Sequence, residues 1–383
     1  MGTGIFDRRR RTDTAPRRYA EGEFIYLNST ARPAGQIVRR RLQRWFARYP
    51  AAGKADLLGR LRSRNDREHV SAVFELSMHE LSLRRRYAVI THPDLPGTSN
   101  HPDFLLESKR RGSLFLEAIV SGGESDVEAG ARRRANQVYD AIDRHVRSPH
   151  FLLSVRVRGA PATPPPGRRI ADQVNAWLRS LDPAAISARS ASRRPKKTIP
   201  VDGWLLEFSV LPKGSVARER QEGRAIGVRS GMVAVSRPET AIISALDFKA
   251  ERYGREMRRP YVIALNIPDP LVGSTSVVED GLFGPIVVRA RETVAGYREV
   301  ESRDRGVFRG PGGPRNKNVS AVLIVVGANA WNPGGKKSCL YHNPWATYPL
   351  PAGAFGIAEK AATAGRLTLS EGKTLADILG ASG

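Results

Sequence analysis

Between Asn65 and Arg86 the apolar positions return every third or fourth residue. Val70, Val73, Phe74 and Leu81, with Ser77 among them, make one stripe, the period of an α-helix. Asn65 is placed as its N-cap, with Glu68 three residues on in capping-box spacing. Gln36 to Arg48 has the same period through Val38, Leu42, Trp45 and Phe46, and Ser125 to Arg147 through Val127, Ala131, Val138, Ala141 and Ile142. A shorter helix is expected at Ile170–Leu181. The period drops to two over Asp103–Glu107 and Leu114–Val120, joined by a turn at Ser108–Ser113, which predicts a hairpin. Tyr87–Thr91 and His150–Val157 read as flanking strands. The order helix, strand, hairpin, helix, strand predicts a mixed β-sheet flanked by helices, an α/β fold.

The second half repeats these patterns without any visible internal repeat. Strands are expected at Trp204–Leu211, Ala225–Val228, Tyr261–Asn266, Ile286–Ala290 and Ser320–Gly327, and a helix at Glu239–Tyr253. This α/β extension could continue the first sheet or stand alone. The segments expected are a basic flexible arm over 1–35, a core over 36–160, and a Pro/Arg-rich linker with a helix over 161–198. The extension follows over 199–353 and a helical tail over 354–383. The linker is read from Ala160–Gly167 (APATPPPG) and from the basic, Ser-rich Ser187–Lys197, which has little reason to order itself.

Charge changes the picture most. Lys and Arg number 62 against 38 Asp and Glu, a net +24, which favours a polyanionic partner through counterion release. The excess is clustered: Arg8 to Arg11, Arg39 to Arg41, Arg84 to Arg86, Lys109 to Arg111, Arg132 to Arg134 and Arg193 to Lys197. Cys339 is the only cysteine, so an intramolecular disulfide and a multi-thiolate zinc site are both excluded. No apolar stretch is long enough for a membrane span or a secretory signal, so no membrane partner and a cytoplasmic location are expected.

Candidate chemistry lies on the hairpin. Asp103 opens one strand, and Glu117 shares a side of the next strand with Phe115 and Ile119. A carboxylate in apolar company is costly unless a cation or donors satisfy it. Mg²⁺ or Mn²⁺, held by one or two carboxylates and several waters, would satisfy it and could act on a phosphate.

Pro102-Asp103, then Glu117 on the next strand, after a helix carrying Glu75 and Glu80, resembles the PD-(D/E)XK nuclease superfamily over roughly residues 65–158. The resemblance implies a restriction-endonuclease-like sheet with a large C-terminal extension. It also implies a Mg²⁺-dependent endonuclease that hydrolyses DNA, in restriction or defence. Asp103 and Glu117 would be the metal ligands, and Glu75, Asp103 and Glu117 the catalytic set. Family spacing favours Glu75 as the helix carboxylate, whereas the helical stripe favours Glu80. The family's lysine two positions after the glutamate is Ile119 here, which puts catalysis in doubt. A substitute could come from a following helix, from Arg132, Arg133, Arg134 or Gln137, or from Lys249. A solvated helix lysine is the default for Lys249, and an arginine cannot act as a general base.

Arg110, Arg111, Arg132, Arg133 and Arg134 are the expected nucleic-acid contacts, with double-stranded DNA as partner and a homodimer left open. Two other readings stand beside this one: an inactive nucleic-acid binder on a nuclease-like fold, and a module for an acidic protein. Gly310-Pro311-Gly312-Gly313-Pro314-Arg315-Asn316-Lys317 suits phosphate but lacks Walker spacing, so it is expected to be a loop touching a nucleic-acid backbone at most. Tyr341 to Trp345 is expected to be a turn packed on the core. No HExxH or Gly-x-Ser-x-Gly motif occurs.

Overall fold

The computed structural model describes residues 4–121, 126–159, 163–187, 190, 193–214, 224–231, 239–253, 257–268, 272–293, 296–303, 305–363 and 366–381. The chain divides into two compact units of mixed α/β type. One comprises residues 1–15, 22–123 and 237–383, and the other comprises 16–21 and 124–236.

The larger unit begins with four helices: α1 (Glu23–Ser29), α2 (Pro33–Ala47), α3 (Ala51–Leu61) and α4 (Asp66–Arg84). Strands β1 (Ala88–Thr91), β2 (Phe104–Ser108) and β3 (Gly112–Val120) follow as an antiparallel meander. The smaller unit then intervenes. It holds α5 (Asp126–His145), β4 (Phe151–Gly159), α6 (Gly167–Arg179), α7 (Pro183–Ser187), β5 (Lys196–Val201), β6 (Trp204–Pro212) and β7 (Ile226–Gly231). Its four strands run in the order β5-β6-β4-β7, over a core that includes Ile142, Leu153, Ile170, Leu206 and Phe208.

Chain returning to the larger unit forms α8 (Glu239–Arg252) and β8 (Tyr261–Ile267), which lies parallel to β3. Then come α9 (Thr275–Phe283), the hairpins β9 (Ile286–Thr293) with β10 (Gly296–Arg303) and β11 (Arg309–Gly310) with β12 (Gly313–Pro314), and β13 (Ala321–Val326). The chain closes with β14 (Lys337–His342), β15 (Glu359–Thr363), β16 (Arg366–Ser370) and α10 (Leu375–Leu379). Eight strands make one sheet in the order β1-β2-β3-β8-β13-β14-β15-β16. Every residue of β8 and β13 is buried, as expected for parallel strands covered on both faces. One face packs Leu116, Val262 and Leu323 with α1 to α4, while the other packs Ile119, Ile263 and Ile324 with α8 and α9.

Several expectations are corrected. Residues 4–35 are not a free arm: they contain α1 and bury Ile5 and Leu27 in the main core. Residues after Ala354 form β15, β16 and only a five-residue helix. Lys196 and Lys197, placed in an unordered loop, begin β5, because Ile199 buries itself opposite Leu206. The expected core over 36–160 ends early, since α5 and β4 belong to the smaller unit. The larger sheet is completed instead by β8 and β13 to β16 from the second half.

Candidate functional site

Phe104 pairs with Leu116 across β2 and β3, so the next positions outward are Asp103 and Glu117. The Asp103 amide donates to Glu117 Oε2 at 3.2 Å, and the Ala118 amide donates to Asp103 Oδ2 at 2.7 Å. Asp103 is half-buried as a residue, but its carboxyl group is turned inside. Burial, then the charges of Glu117 and Glu75, hold that carboxyl well above the usual aspartate range. Two of the expected acids therefore meet at the end of the hairpin, and a third is near enough to be felt.

Glu117 is 1% exposed and fully engaged. Lys249 of α8 forms an ion pair with its Oε1, and Tyr253 Oη lies 2.8 Å from its Oε2. Tyr253 directly follows α8, four residues after Lys249, so the end of the helix brings the ammonium and the phenol to the same carboxylate. The same phenol sits 2.9 Å from the His101 carbonyl, next to Pro102-Asp103. Burial and then the Glu117 charge push the Tyr253 hydroxyl pKa up, which keeps it a proton donor. Ile119, where the resemblance places a lysine, packs in the apolar cluster that holds Leu246 and Ala250 of α8. Helix α8 covers that position with hydrocarbon and delivers a lysine to Glu117 itself. Lys249 is thus a buried-pair lysine, not a solvated one.

Glu75 lies on α4, where every residue from Ala72 to Ser82 is buried. A helix enclosed on all sides has no polar stripe, which is why the stripe argument could not choose between Glu75 and Glu80. The structure separates them by partner. Glu80 is 0% exposed and paired with Arg48 and with Arg84, the latter at 2.6 Å. Glu75 accepts from Tyr49 Oη at 2.7 Å and from Arg60 Nη1 at 2.7 Å, and its charge reaches Asp103. His79, one turn after Glu75, lies against the Tyr49 ring at 4.9 Å between centroids. Its Nδ1 is buried without a hydrogen-bond partner. Burial, then Arg48 and Lys54, push its pKa down to about 4, so the ring is neutral.

The predicted hairpin arginines do not join this cluster. Arg110 and Arg111 occupy the β2–β3 turn, at the opposite end of the hairpin from Asp103. Arg111 Nη1 donates to the Arg85 carbonyl at 2.8 Å. Arg132, Arg133, Arg134 and Gln137 lie on α5 in the smaller unit, and the place expected for a substitute cation is taken by Lys249. Sequence reasoning missed Tyr49, Arg60 and Tyr253 altogether. The Lys249/Tyr253 spacing was a usable signal for the last. His342 pairs with Glu359 at 3.2 Å, and Trp345 follows in a turn capped by Asn343.

Three carboxylates, Glu75, Asp103 and Glu117, thus face two cations, Arg60 and Lys249. Arg60 and Lys249 balance Glu75 and Glu117, and the raised Asp103 carboxyl favours its proton, so a further cation would compete with that proton. Among the described residues, no group of three or more His, Cys, Asp or Glu side chains is set to hold a metal. Nor is any described helix long and apolar enough to cross a membrane. Comparison with family models, with curated proteins and with solved structures returned no match to this chain.

Proposed function

We propose that this protein is a divalent-metal-dependent nuclease that hydrolyses phosphodiester bonds in DNA, on a restriction-endonuclease-like sheet of the PD-(D/E)XK type. The observation that carries the reading is Lys249 on Glu117, beside Asp103. It supplies from α8 the lysine that the strand motif lacks. Mixed pairing of β1, β2, β3 and β8, with α4 on one face and α8 on the other, supports the same reading.

The oxygen donors are of the type that Mg²⁺ or Mn²⁺ takes, and an ion would share Glu117 with Lys249 and Tyr253. Asp103 and Glu117 are adjacent hard oxygen donors, and the strain on the Asp103 charge would be relieved by a cation. They would hold the ion, which when bound would supply an activated water and charge stabilisation on the phosphate. The remaining chemistry belongs to the chain. Tyr253 and the Asp103 amide fix Glu117. Lys249 Nζ, 16% exposed as a side chain, holds a proton where it can donate to water or to a phosphate oxygen. Tyr49 and Arg60 hold Glu75, which keeps the acidic field on Asp103.

The test compares wild type and Asp103→Ala on supercoiled plasmid and on RNA, with Mg²⁺, Mn²⁺ or chelator. Metal-dependent DNA cleavage lost in the variant, with binding retained, supports the proposal. Equal cleavage by both proteins in matched preparations refutes it. A second reading, an inactive nucleic-acid binder, is favoured by the full engagement of both Glu117 oxygens. It predicts salt-sensitive binding with no metal-dependent turnover.

A further inference from the structure

Five arginines lie on α2 and at its C-cap, and the structure sorts them by partner. Arg39 Nη1 donates to the carbonyls of Leu27 and Thr30 at 2.7 and 2.9 Å. Arg41 Nη2 donates to those of Ala330 and Trp331 at 2.7 and 3.1 Å. These two fasten the helix to its surroundings. Arg48 pairs with buried Glu80, which also holds Arg84, so one carboxylate lies between two guanidiniums. Arg40 and Arg44 are exposed and, among the described residues, have neither a hydrogen bond nor an ion pair.

The three outward arginines are four residues apart, which sets Arg40, Arg44 and Arg48 along one side of the helix in steps of about 6 Å. The opposite side, with Val38, Leu42, Trp45 and Phe46, is buried in the main core. Helix α2 contains no Asp or Glu. Like charges at this spacing repel, and no acid within the helix offsets them. A polyanion would. The row is about 12 Å long, the length over which three or four phosphates of one duplex strand succeed each other at about 3.4 Å each. It also ends at the candidate site. Tyr49 directly follows Arg48 and donates to Glu75, and its ring lies 6.4 Å from that of Phe104, the neighbour of Asp103. An anionic lipid surface fits less well, because a helix lying on a membrane sinks its apolar face into it. The core already occupies that face of α2.

We infer that the outer face of α2, through Arg40, Arg44 and Arg48, binds the sugar-phosphate backbone of a nucleic acid beside the acidic cluster. The inference deepens the nuclease reading and rests on it for calling that nucleic acid the substrate. The contacts are to phosphates, so they hold and align a strand without reading its sequence.

The experiment measures binding of a fluorescent DNA duplex over a salt series in chelator, so turnover is not needed. It uses the full chain and the double variant Arg40→Gln/Arg44→Gln. Lys109→Gln/Arg110→Gln, on the exposed β2–β3 turn, is the charge-matched control. We expect the α2 variant to bind roughly tenfold more weakly. Its slope of log affinity against log salt should fall by about 1.8, or about 0.9 for each lost contact, while the control keeps the wild-type slope. Urea midpoints should agree among the three proteins, because the replaced side chains project into solvent. A folded α2 variant with unchanged affinity and slope overturns the inference, and Mg²⁺-dependent plasmid cleavage by that variant leaves the nuclease reading standing. Equal loss in the control assigns the effect to net charge and overturns the inference too. Duplex binding lost in the α2 variant, with no cleavage by wild type in Mg²⁺, keeps the face and removes the nuclease reading. Wild type that binds no duplex at low salt overturns the inference, and capture by phosphatidylserine vesicles would then assign the face to anionic lipid.

Discussion

Replacing Lys249 with methionine keeps most of the hydrocarbon stem and removes only the ammonium. Its partner, Glu117, is 1% exposed, so the change leaves a carboxylate in the interior without its cation. Breaking a buried ion pair from one side costs about 3–5 kcal/mol. Two features move the expectation to the lower end. Tyr253 and the Asp103 amide still donate to Glu117, and the lysine side chain is itself 16% exposed. We therefore expect Lys249→Met to lose about 3 kcal/mol. Adding Glu117→Gln should recover part of this, giving a coupling of about 2 kcal/mol in the double-mutant cycle. Urea titration is the assay, with hydrogen exchange of the β3 and β8 amides as readout, so that the transition reported belongs to the larger sheet. Cleavage should fall at least a hundredfold in the same variant. A stability loss of about 1 kcal/mol or less is what a solvated surface pair would give. That result would refute the buried pair and, with it, the role given to α8.

Further outcomes follow from the charges. The Asp103 pKa is raised in the folded protein, so its stabilising contribution is complete below the unfolded value of about 3.9 and is lost as pH rises through the folded value. Asp103→Asn should thus be more stable than wild type near pH 7 without metal, and no more stable in strong acid, as read by urea midpoints against pH. The acidic limb of cleavage should lie above the ordinary aspartate range and move to lower pH as Mg²⁺ is raised, because cation and proton compete for one carboxyl group. The depressed His79 pKa works in the opposite sense. Its contribution is present above about 6.5 and is lost as pH falls toward about 4, a window worth about 3 kcal/mol. His79→Phe should flatten that acid-side loss in the same titrations.

The hairpin was readable because Asp103–Glu107 and Leu114–Val120 alternate with a period of two and the turn between them is short. Local pattern therefore determined both the register and the meeting of Asp103 with Glu117. Lys249 was not readable in the same way, since it reaches Glu117 from 132 residues away, through packing that no local period encodes. The nearest downstream helix, α5, was the natural candidate from order alone, but it packs its apolar stripe on the smaller sheet. The choice of Glu75 over Glu80 needed tertiary partners, because a helix buried on every side shows no amphipathic signal. The start of the chain misled for a related reason. Scattered apolar residues such as Ile5 and Leu27 look weak in sequence, yet each fills a place in a core made by other segments.

The placement of residues 124–236 between β3 and α8 has a consequence for biosynthesis. Phe115 waits for Tyr261 as its neighbour across the sheet, so β3 leaves the ribosome with one hydrogen-bonding edge unmet. An entire compact unit must be translated before that edge is covered. During this interval the nascent chain presents an open strand bearing Phe115, Leu116 and Ile119, the type of surface that recruits chaperones or mispairs with another chain. Closing so long a detour is also entropically slow. The Lys249–Glu117 pair accordingly cannot form until the smaller unit has been translated.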